Sequence, residues 1–277
     1  MNEKNYIFIV GMPRSGTTLL SATLGRNFDA ACGPETQFFN KFSPVRRMMS
    51  VFDPVWPNMA VRNLNDITLS EQNVAGLYGS SYESIYSYLK SAPKNTKSMF
   101  DALVGIEKFP GKNYFIEKTP NHILHVNQIR AVFPNCKFIR IVRDPRGSSV
   151  SMRKLPWCSQ SALSNSALIE KWYRKSKDYF SSRYNDFYTL KYESWMESPE
   201  YYVREVCDFV GMSYNPGMLL SADSDLQVIT ENEPWKNQVA AEYDVSMIDN
   251  WKAVIGACEA KKILEVCRDF ARDFEYS

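Results

Sequence analysis

The sequence predicts an α/β protein of three layers, with a central and mainly parallel sheet between two layers of helices. Two segments, Tyr6 to Val10 and Lys137 to Val142, are nearly continuous apolar runs, as expected of strands buried on both faces. Segments with helical periodicity lie between the β-rich runs, and this alternation is typical of βαβ units with right-handed crossovers. In such a sheet a ligand binds beyond the carboxyl ends of the strands.

Four segments have the composition of strands. In chain order they are Tyr6-Ile-Phe-Ile-Val10, Tyr114-Phe-Ile-Glu117, Lys137-Phe-Ile-Arg-Ile-Val142 and Phe187-Tyr-Thr-Leu-Lys-Tyr192. Helical patterns extend over Thr17 to Phe28, Asn121 to Phe133, Ser166 to Arg183, Pro199 to Gly211 and Cys258 to Phe274. Asn121 is a residue of the type that caps a helix, and Gly211 is of the type that ends one.

Residues 38–109 fit this alternation poorly. The segment is rich in aromatic residues and methionine, and it predicts a helical cap insertion over the edge of the sheet within one domain of residues 1–277. Its large apolar residues suit the wall of an apolar binding site, and they equally suit a packed helical core, which we expect for most of them. They are Phe38, Phe39, Phe42, Met48, Met49, Phe52, Trp56, Tyr78, Tyr82 and Tyr86.

Composition excludes several classes of protein. The 277 residues carry a formal net charge of +2, too small to indicate non-specific binding of nucleic acid. Six cysteines form no Cys-x-x-Cys pair and only two histidines, His122 and His125, accompany them, so we expect no metal site and reduced thiols. No stretch approaches about 20 apolar residues, and the first run is too short for a secretion signal. We therefore expect a cytoplasmic protein without a transmembrane segment.

A glycine loop, Gly11-Met-Pro-Arg-Ser-Gly16-Thr-Thr18, follows the first predicted strand and opens the first predicted helix. Backbone N–H groups converge in such a loop, and the positive end of the helix dipole attracts an anion. The hydroxyls of Ser15, Thr17 and Thr18 add hydrogen-bond donors. The loop therefore predicts a phosphate site, although a tight strand-to-helix turn without a ligand has the same pattern.

The loop matches the P-loop of nucleoside-triphosphate enzymes only up to its second glycine, Gly16. A P-loop continues with a lysine that reaches the β- and γ-phosphates, and this chain has Thr17 instead. Its cation is Arg14, two positions before Gly16. We expect a P-loop-like nucleotide-binding topology with a different phosphate geometry, which disfavours a P-loop kinase or nucleotidase.

A second candidate anion site lies in Lys137 to Ser151, which again has the order of a strand followed by a helix. Arg143 ends the predicted strand, and Ser151 follows about two helical turns later. A guanidinium and a hydroxyl placed in this way can share a phosphate. The alternative is that Arg143 pairs with Asp144 or caps the end of the sheet.

These motifs resemble those of sulfotransferases that use 3′-phosphoadenosine-5′-phosphosulfate (PAPS). The loop from Gly11 to Thr18 is similar to their 5′-phosphosulfate loop, in the Pro-Arg-Ser-Gly-Thr-Thr form of tyrosylprotein sulfotransferases and bacterial relatives. Arg143 and Ser151 match the element that grips the 3′-phosphate in that family. The resemblance implies PAPS as the donor, adenosine 3′,5′-bisphosphate (PAP) as the product and no metal. It covers residue 5 to about residue 211 in outline.

The resemblance also implies catalytic residues. Cys32-Gly-Pro-Glu35-Thr36 is similar to a Gly-Glu-Glu-Thr motif whose second glutamate is the base, so Glu35 takes that role, and Pro34 replaces the first glutamate. Lys118 matches the lysine that meets the leaving oxygen together with the loop arginine, here Arg14. His122 is the second choice of base, because aryl sulfotransferases use a histidine shortly after their lysine.

Two further residues are assigned to the nucleotide by resemblance. Tyr192 of Lys191-Tyr192-Glu193 matches the tyrosine of the family's Arg-Tyr-Glu element. Lys236 of Glu233-Pro-Trp235-Lys236 resembles the late loop that closes over the cofactor, and it would add to the 3′-phosphate site.

The interpretation of the whole sequence is a sulfotransferase that moves the sulfuryl group of PAPS to an acceptor hydroxyl by in-line displacement. The alternatives are a P-loop-type nucleotide kinase and a non-catalytic nucleotide-binding protein of the same fold. The acceptor is a small molecule, a glycolipid or a peptide, and the sequence does not choose among them. It also leaves the oligomeric state open.

Overall fold

The computed structural model describes residues 4–181, 184–220 and 243–277. The strands in this part of the chain are β1 (Asn5–Gly11), β2 (Ala30–Cys32), β3 (Thr68–Leu69), β4 (Gln72–Asn73), β5 (Tyr114–Lys118), β6 (Lys137–Val142) and β7 (Phe187–Lys191). Five of them form one sheet in the order β2-β5-β1-β6-β7, and every neighbouring pair is parallel. The strands β3 and β4 form a separate antiparallel hairpin.

Helices cover both faces of the sheet. They are α1 (Thr17–Gly25), α2 (Phe38–Lys41), α3 (Pro44–Val51), α4 (Asn58–Asn65), α5 (Val74–Leu77), α6 (Tyr82–Ser91), α7 (Thr96–Leu103), α8 (Val126–Val132), α9 (Pro145–Met152), α10 (Ala162–Ser176), α11 (Tyr192–Glu197), α12 (Pro199–Val210), α13 (Ser246–Asp249), α14 (Ala257–Val266) and α15 (Arg268–Asp273). Short 3₁₀ turns cover Ile106–Lys108, Pro120–His125, Lys177–Phe180, Pro216–Leu219 and Asn250–Ala253.

The central strand β1 separates two apolar cores, because successive side chains of a strand point to opposite faces. Tyr6, Phe8 and Val10 face a core shared with residues 38–109, α10 and α15. Ile7 and Ile9 face a core built with α1, α11 and α12. This arrangement confirms the predicted three-layer α/β fold with a parallel sheet.

Local differences from the predicted elements have simple causes. The edge strand β2 has only three residues, Ala30–Cys32, which is too short to give a periodic pattern. Asn121 does not cap a helix, because Pro120–His125 forms a 3₁₀ turn and α8 begins after it. The predicted C-terminal helix is two helices that meet at Cys267.

The insertion of residues 38–109 is mostly helical and packs against the sheet. Phe38, Phe39 and Phe42 are buried in the same core as Phe8. Met48, Met49 and Phe52, by contrast, are exposed. The apolar residues of this segment therefore divide into a packed set and a set on the surface.

Gly33 lies where the chain leaves β2 toward Glu35. A Cβ atom added there would lie 2.7 Å from Cζ and 2.8 Å from the hydroxyl oxygen of Tyr78. That hydroxyl donates a hydrogen bond to the carbonyl of Pro34 at 2.7 Å. The buried Tyr78 ring therefore fixes the path of the chain immediately before Glu35.

We predict that Gly33→Ala lowers the free energy of unfolding by about 1–3 kcal/mol, because the added methyl group and the Tyr78 ring cannot occupy the same space. Gly76→Ala is the matched control, since its Cβ would make ordinary contact, 3.5 Å from Asn73 Oδ1, at an exposed helical position. Urea unfolding of both variants measures the difference. Equal stability of Gly33→Ala and the parent protein would contradict the close packing.

Candidate active site

The carboxyl ends of the five parallel strands meet at one edge of the sheet, beside a cleft of about 770 Å³. Each strand leads into one residue that the sequence analysis selected. They are Arg14 after β1, Glu35 after β2, Lys118 at the end of β5, Arg143 after β6 and Tyr192 after β7. Four of these line the cleft, and the fully buried Lys118 lies behind Glu35.

The glycine loop opens directly onto the cleft. Gly16, Thr17 and Thr18 line it. Gly16 is the N-cap residue of α1 and has no side chain to cap the helix, and the first turn of α1 contains no acidic residue. The first N–H groups of α1 are therefore available to an anion. Ser15 is completely buried, its amide donates to the carbonyl of Met12, and its hydroxyl does not reach the cleft wall.

Gly16 and Tyr192 are in close contact. Gly16 has φ 101°, and a Cβ atom there would lie 2.8 Å from Cδ2 of Tyr192. The same tyrosine ring lies below the guanidinium of Arg143, 4.2 Å from its centroid. Burial raises the pKa of Tyr192 above its usual value of 10, so the hydroxyl keeps its proton. Tyr192 thus joins the two predicted phosphate sites through its ring, while a contact of its hydroxyl with the nucleotide stays a prediction.

Arg14, Arg143 and Ser151 form one hydrogen-bonded cluster. Arg14 Nε donates to Ser151 Oγ at 3.1 Å, and Arg143 donates to the carbonyls of Arg14 at 3.0 Å and Met247 at 2.8 Å. Arg143 does not pair with Asp144, which instead accepts from Arg146 at 2.7 Å. The two predicted anion sites are therefore in direct contact.

No carboxylate within the described ranges neutralises Arg14 or Arg143 at ion-pair distance. The buried Nε of Arg143 makes no hydrogen bond to any residue of those ranges. Burial, and then the charge of Arg143, lower the pKa of Arg14 from its usual value. Two adjacent guanidinium groups that lack a counter-charge from the described residues favour an anionic ligand, since it would relieve their repulsion and supply an acceptor for Arg143 Nε.

Beyond the ends of β2 and β5, Glu35 and Lys118 form a buried ion pair at 3.0 Å. The second carboxylate oxygen of Glu35 accepts from Gln37 Nε2 at 2.8 Å, and Gln37 in turn accepts from Asn40 at 2.6 Å. Gln37 adopts a left-handed backbone conformation with φ 52°. The sequence analysis did not select Gln37, because a polar residue two positions after a candidate base has no pattern of its own.

The Glu117 carboxylate anchors this side of the site. It accepts hydrogen bonds from Thr36 Oγ1 at 2.8 Å, Thr119 Oγ1 at 2.5 Å and His122 Nδ1 at 3.0 Å. Burial opposes its ionisation, but the interaction with His122 and the two hydroxyl hydrogen bonds outweigh that effect and hold the pKa of Glu117 below its usual value. The sequence analysis gave Glu117 no role in the site, because its position in the sequence is simply that of the last residue of a predicted buried strand.

His122 is not placed to act as a base. Its ring is completely buried, Nδ1 faces Glu117, and Nε2 accepts the backbone N–H of Phe39 at 3.2 Å. Both ring nitrogens are therefore engaged away from the cleft, which His122 does not line. Of the two predicted bases, only Glu35 reaches the cleft.

The remaining wall of the cleft could not be read from the sequence. It consists of the tip of the β3–β4 hairpin, the segment after α9, one aromatic residue of α10 and the segment around α13. The lining residues of these segments include Thr68, Leu69, Ser70, Glu71, Lys154, Leu155, Trp157, Trp172, Asp244, Met247 and Asn250.

Lys236, which the sequence analysis assigned to the nucleotide, lies outside the described residues. Among those residues there is no cluster of side chains that could hold a metal ion and no helix long and apolar enough to cross a membrane.

His125, next to the buried network, gives the site a pH-dependent stability. Its pKa is lowered from 6.5 to about 4 by burial and then by the nearby His122 and Arg47. Between pH 6.5 and 4, the His125 imidazole is therefore protonated in the unfolded chain but stays neutral in the folded chain. The stabilising contribution of His125 is complete above pH 6.5 and is lost as the pH falls toward 4.

We predict that His125→Gln reduces the loss of stability on acidification. Between pH 7 and about pH 4.5 the parent protein should lose about 1–3 kcal/mol more free energy of unfolding than the variant. Urea unfolding at several pH values measures both curves, and Glu117, present in both proteins, cancels in the comparison. Parallel curves would show that His125 titrates alike in the folded and unfolded states.

Known proteins with related sequences and folds support one family. The family model described as "Sulfotransferase family" matches residues 6–216. Protein-tyrosine sulfotransferase 1 of Danio rerio is 25% identical over 274 residues, which cover 96% of this chain and 68% of that protein. The sulfotransferase domain of the Synechococcus PCC 7002 olefin synthase superposes with a TM-score of 0.66 at 17% identity, covering 98% and 97% of the two chains. Mouse sulfotransferase SULT7A1 gives a TM-score of 0.53 at 14% identity, covering 99% and 85%.

The family model matches most of the chain and includes the glycine loop, Glu35, Lys118, Arg143 and Tyr192. These residues line one cleft, or in the case of Lys118 lie directly behind its wall, on a sheet whose fold is shared with sulfotransferases of known structure. The chain therefore belongs to the sulfotransferase family and is an enzyme that transfers a sulfuryl group.

Proposed function

We propose that the protein transfers the sulfuryl group of PAPS to an acceptor hydroxyl, with Glu35 as the general base. The observation that carries the proposal is the pair Arg14 and Arg143, which lacks a carboxylate partner in the described part of the chain and lines the same cleft as Glu35. The cleft thus offers cations that suit an anion and a carboxylate that can accept a proton.

The residues of the cleft fit the chemistry of PAPS. The nucleotide carries a 5′-phosphosulfate and a 3′-phosphate. The chain offers the N-terminus of α1, with its glycine N-cap, and Arg14 for the first, and Arg143 with Ser151 for the second. The specific observation that supports such a ligand is the buried Nε of Arg143, which has no hydrogen-bond partner in the described part of the chain. The structure of mouse SULT7A1 was solved with PAP, which supports the same nucleotide here.

When bound, PAPS supplies the sulfuryl group that passes to the acceptor oxygen and leaves PAP as the product. Glu35 would take the proton of the acceptor hydroxyl, a role typically worth about 10²–10⁴-fold in rate. Its carboxylate is oriented by Lys118 and Gln37, which hold one oxygen each. Arg14, which lines the cleft beside the glycine loop, is the cation we assign to the charge of the leaving oxygen. The family resemblance adds Lys118 to this role, but here Lys118 is buried behind Glu35 and would act on the cleft through that pair.

The acceptor site is proposed on the far wall of the cleft. Leu155, Trp157 and Trp172 line this wall together with the hairpin residue Leu69. Such a wall favours an acceptor hydroxyl attached to an aromatic or apolar group. The name of the Danio rerio relative supports a phenolic hydroxyl such as that of tyrosine.

Location of the protein in the cytoplasm stays a prediction, which fractionation of the source cells would test.

The first prediction of the proposed function concerns the base. Glu35→Gln should lower the turnover number by about 10²–10⁴-fold, because the amide cannot accept the proton, while the affinity for PAP stays within a few-fold. Transfer of labelled sulfate from PAPS to a phenolic acceptor measures turnover, and calorimetry measures PAP binding.

Glu71→Gln is the matched control for Glu35→Gln. It removes another carboxylate that lines the cleft, on the exposed tip of the β3–β4 hairpin. Thermal unfolding of both variants shows whether the loss of the partner of Lys118 disturbs the fold. Full turnover by a folded Glu35→Gln variant would remove Glu35 from the mechanism.

The second prediction concerns the donor. Arg143→Ala should weaken PAP binding by about 2 kcal/mol or more, roughly 30-fold, because it removes a charge-assisted contact to the 3′-phosphate. Arg153→Ala, a change at an arginine outside the cleft lining, should leave the affinity unchanged. The affinity for ATP in the presence of Mg²⁺ is measured in the same way and compared with the affinity for PAP. Binding of ATP as tight as that of PAP, or an unaltered affinity in Arg143→Ala, would contradict the assignment of two phosphate sites.

A further inference from the structure

Two side-chain amide groups at the cleft wall each hold an oxygen atom that lacks a hydrogen-bond donor. They belong to Asn40, in α2, and to Asn121, in the 3₁₀ turn after β5, and both residues line the cleft. Asn40 Oδ1 and Asn121 Oδ1 are buried, and neither has a hydrogen-bond partner in the described part of the chain. A buried amide oxygen without a donor is costly, and folded proteins pair most such atoms. These two atoms therefore indicate a ligand that supplies donors.

The two asparagines lie on elements that are joined to each other. Phe39, the residue before Asn40, donates its backbone N–H to Nε2 of His122, the residue after Asn121, at 3.2 Å. The helix α2 and the 3₁₀ turn are thus held together beside the cleft. The two oxygen atoms therefore belong to one part of its wall.

The orientation of the Asn40 amide is set by the Glu35 carboxylate. That carboxylate, paired with Lys118 at 3.0 Å, only accepts hydrogen bonds, so Gln37 must turn its NH₂ group toward it, at 2.8 Å. The carbonyl oxygen of Gln37 then faces Asn40 and accepts from Nδ2 at 2.6 Å. A flipped Asn40 amide would place two oxygen atoms against each other. Oδ1 is therefore the atom of Asn40 that is left to bind another donor.

The same chain of contacts keeps Asn40 Oδ1 close to the reacting group. Its distance from the Glu35 carboxylate is at most about 10 Å, because only two hydrogen bonds and two amide groups separate them. A substituted phenol is long enough to reach both groups at once. The donor that Asn40 lacks can therefore come from the molecule whose hydroxyl faces Glu35.

We propose that Asn40 is a specificity-determining residue for the acceptor. Its Oδ1 accepts a hydrogen bond from an O–H or N–H group that the acceptor carries in addition to the reacting hydroxyl, and Asn121 Oδ1 offers a second such site. The inference rests on the proposed function, because it assigns the substrate class of the same cleft. The acceptor is then a phenol with an amide or hydroxyl substituent. A purely apolar phenol would be rejected, because it would leave the buried oxygen unpaired.

Two acceptors that differ in one donor group test the proposal with the full chain. The primary amide of para-hydroxyphenylpropionic acid carries an N–H donor, whereas the methyl ester of the same acid has the same phenol and no donor at that position. We expect kcat/KM for sulfate transfer from PAPS to be about tenfold or more higher for the amide. Calorimetric binding of each compound to the protein saturated with PAP should show the same preference.

Variants separate the two functions of the Asn40 amide. Asn40→Ala removes both its oxygen and its NH₂ group, so it should abolish the preference for the primary amide. Any loss of orientation of Glu35 through Gln37 lowers transfer to both acceptors alike and cancels in their ratio. Asn40→Asp keeps an oxygen atom at this position, so it should keep the preference, while transfer to both acceptors falls because a carboxylate cannot donate to Gln37.

Asn58→Ala is the matched control for Asn40→Ala. Asn58 is exposed at the first position of α4 and does not line the cleft, so its removal should change neither the rate nor the preference. Thermal unfolding of all three variants shows whether each is folded.

The results separate the acceptor assignment from the reaction. A preference for the amide that Asn40→Ala abolishes and Asn40→Asp keeps supports the proposal. Equal use of the amide and the ester by the parent protein, which a water molecule bound to Asn40 would produce, overturns it, and so does a preference that survives in Asn40→Ala or is lost in Asn40→Asp. Transfer without a preference removes only this inference. Preferential binding of the amide without any transfer removes only the proposed reaction, and the absence of both binding and transfer contradicts both.

Discussion

The Glu117 carboxylate is completely buried below the carboxyl end of β5 and accepts hydrogen bonds from three segments of the chain. Thr36 belongs to the loop after β2, Thr119 follows β5, and His122 lies in the next turn. A buried carboxylate without such partners would cost several kcal/mol, so these segments cannot move apart independently. Glu35 precedes Thr36 and Lys118 follows Glu117, and their ion pair is therefore fixed by a carboxylate that itself takes no part in the cleft.

A different kind of contact fixes the anion side. The Tyr192 ring leaves no room for a Cβ atom at Gly16 and also supports the guanidinium of Arg143. The glycine needed for the left-handed turn of the loop is thus also the glycine needed for tight packing against α11. Arg14 and Arg143 are held next to each other by backbone carbonyls and Ser151 rather than by carboxylates. The two guanidinium groups repel each other in the folded protein, and the binding of an anion would relieve that repulsion.

Sequence reasoning reached the sheet and the strand ends because both leave local signals. Buried parallel strands are continuous apolar runs, and the residues that end them meet by topology, so Arg14, Lys118 and Arg143 could be placed without coordinates. The three-residue strand β2 and the β3–β4 hairpin are too short for periodicity. The engagement of both His122 nitrogens depends on Phe39, which is 83 positions away in sequence. The cap segment was predicted to be helical, but the inward position of Arg47 in α3 depends on Gln128, which is 81 positions away in sequence.

The Glu35–Lys118 pair is hard to explain by stability alone. Removing two charges from water is expensive, and apolar side chains of similar volume often give equal or greater stability than a buried ion pair. Here the pair is also bordered by Gln37 in a left-handed conformation, which adds strain on the order of 1–3 kcal/mol. The chain therefore maintains, at a cost to its stability, a carboxylate at the cleft wall with a cation directly behind it. The proposed function supplies a reason for the pair, because a base at the cleft wall must be oriented before the acceptor binds, and Lys118 behind it holds one of its two oxygens.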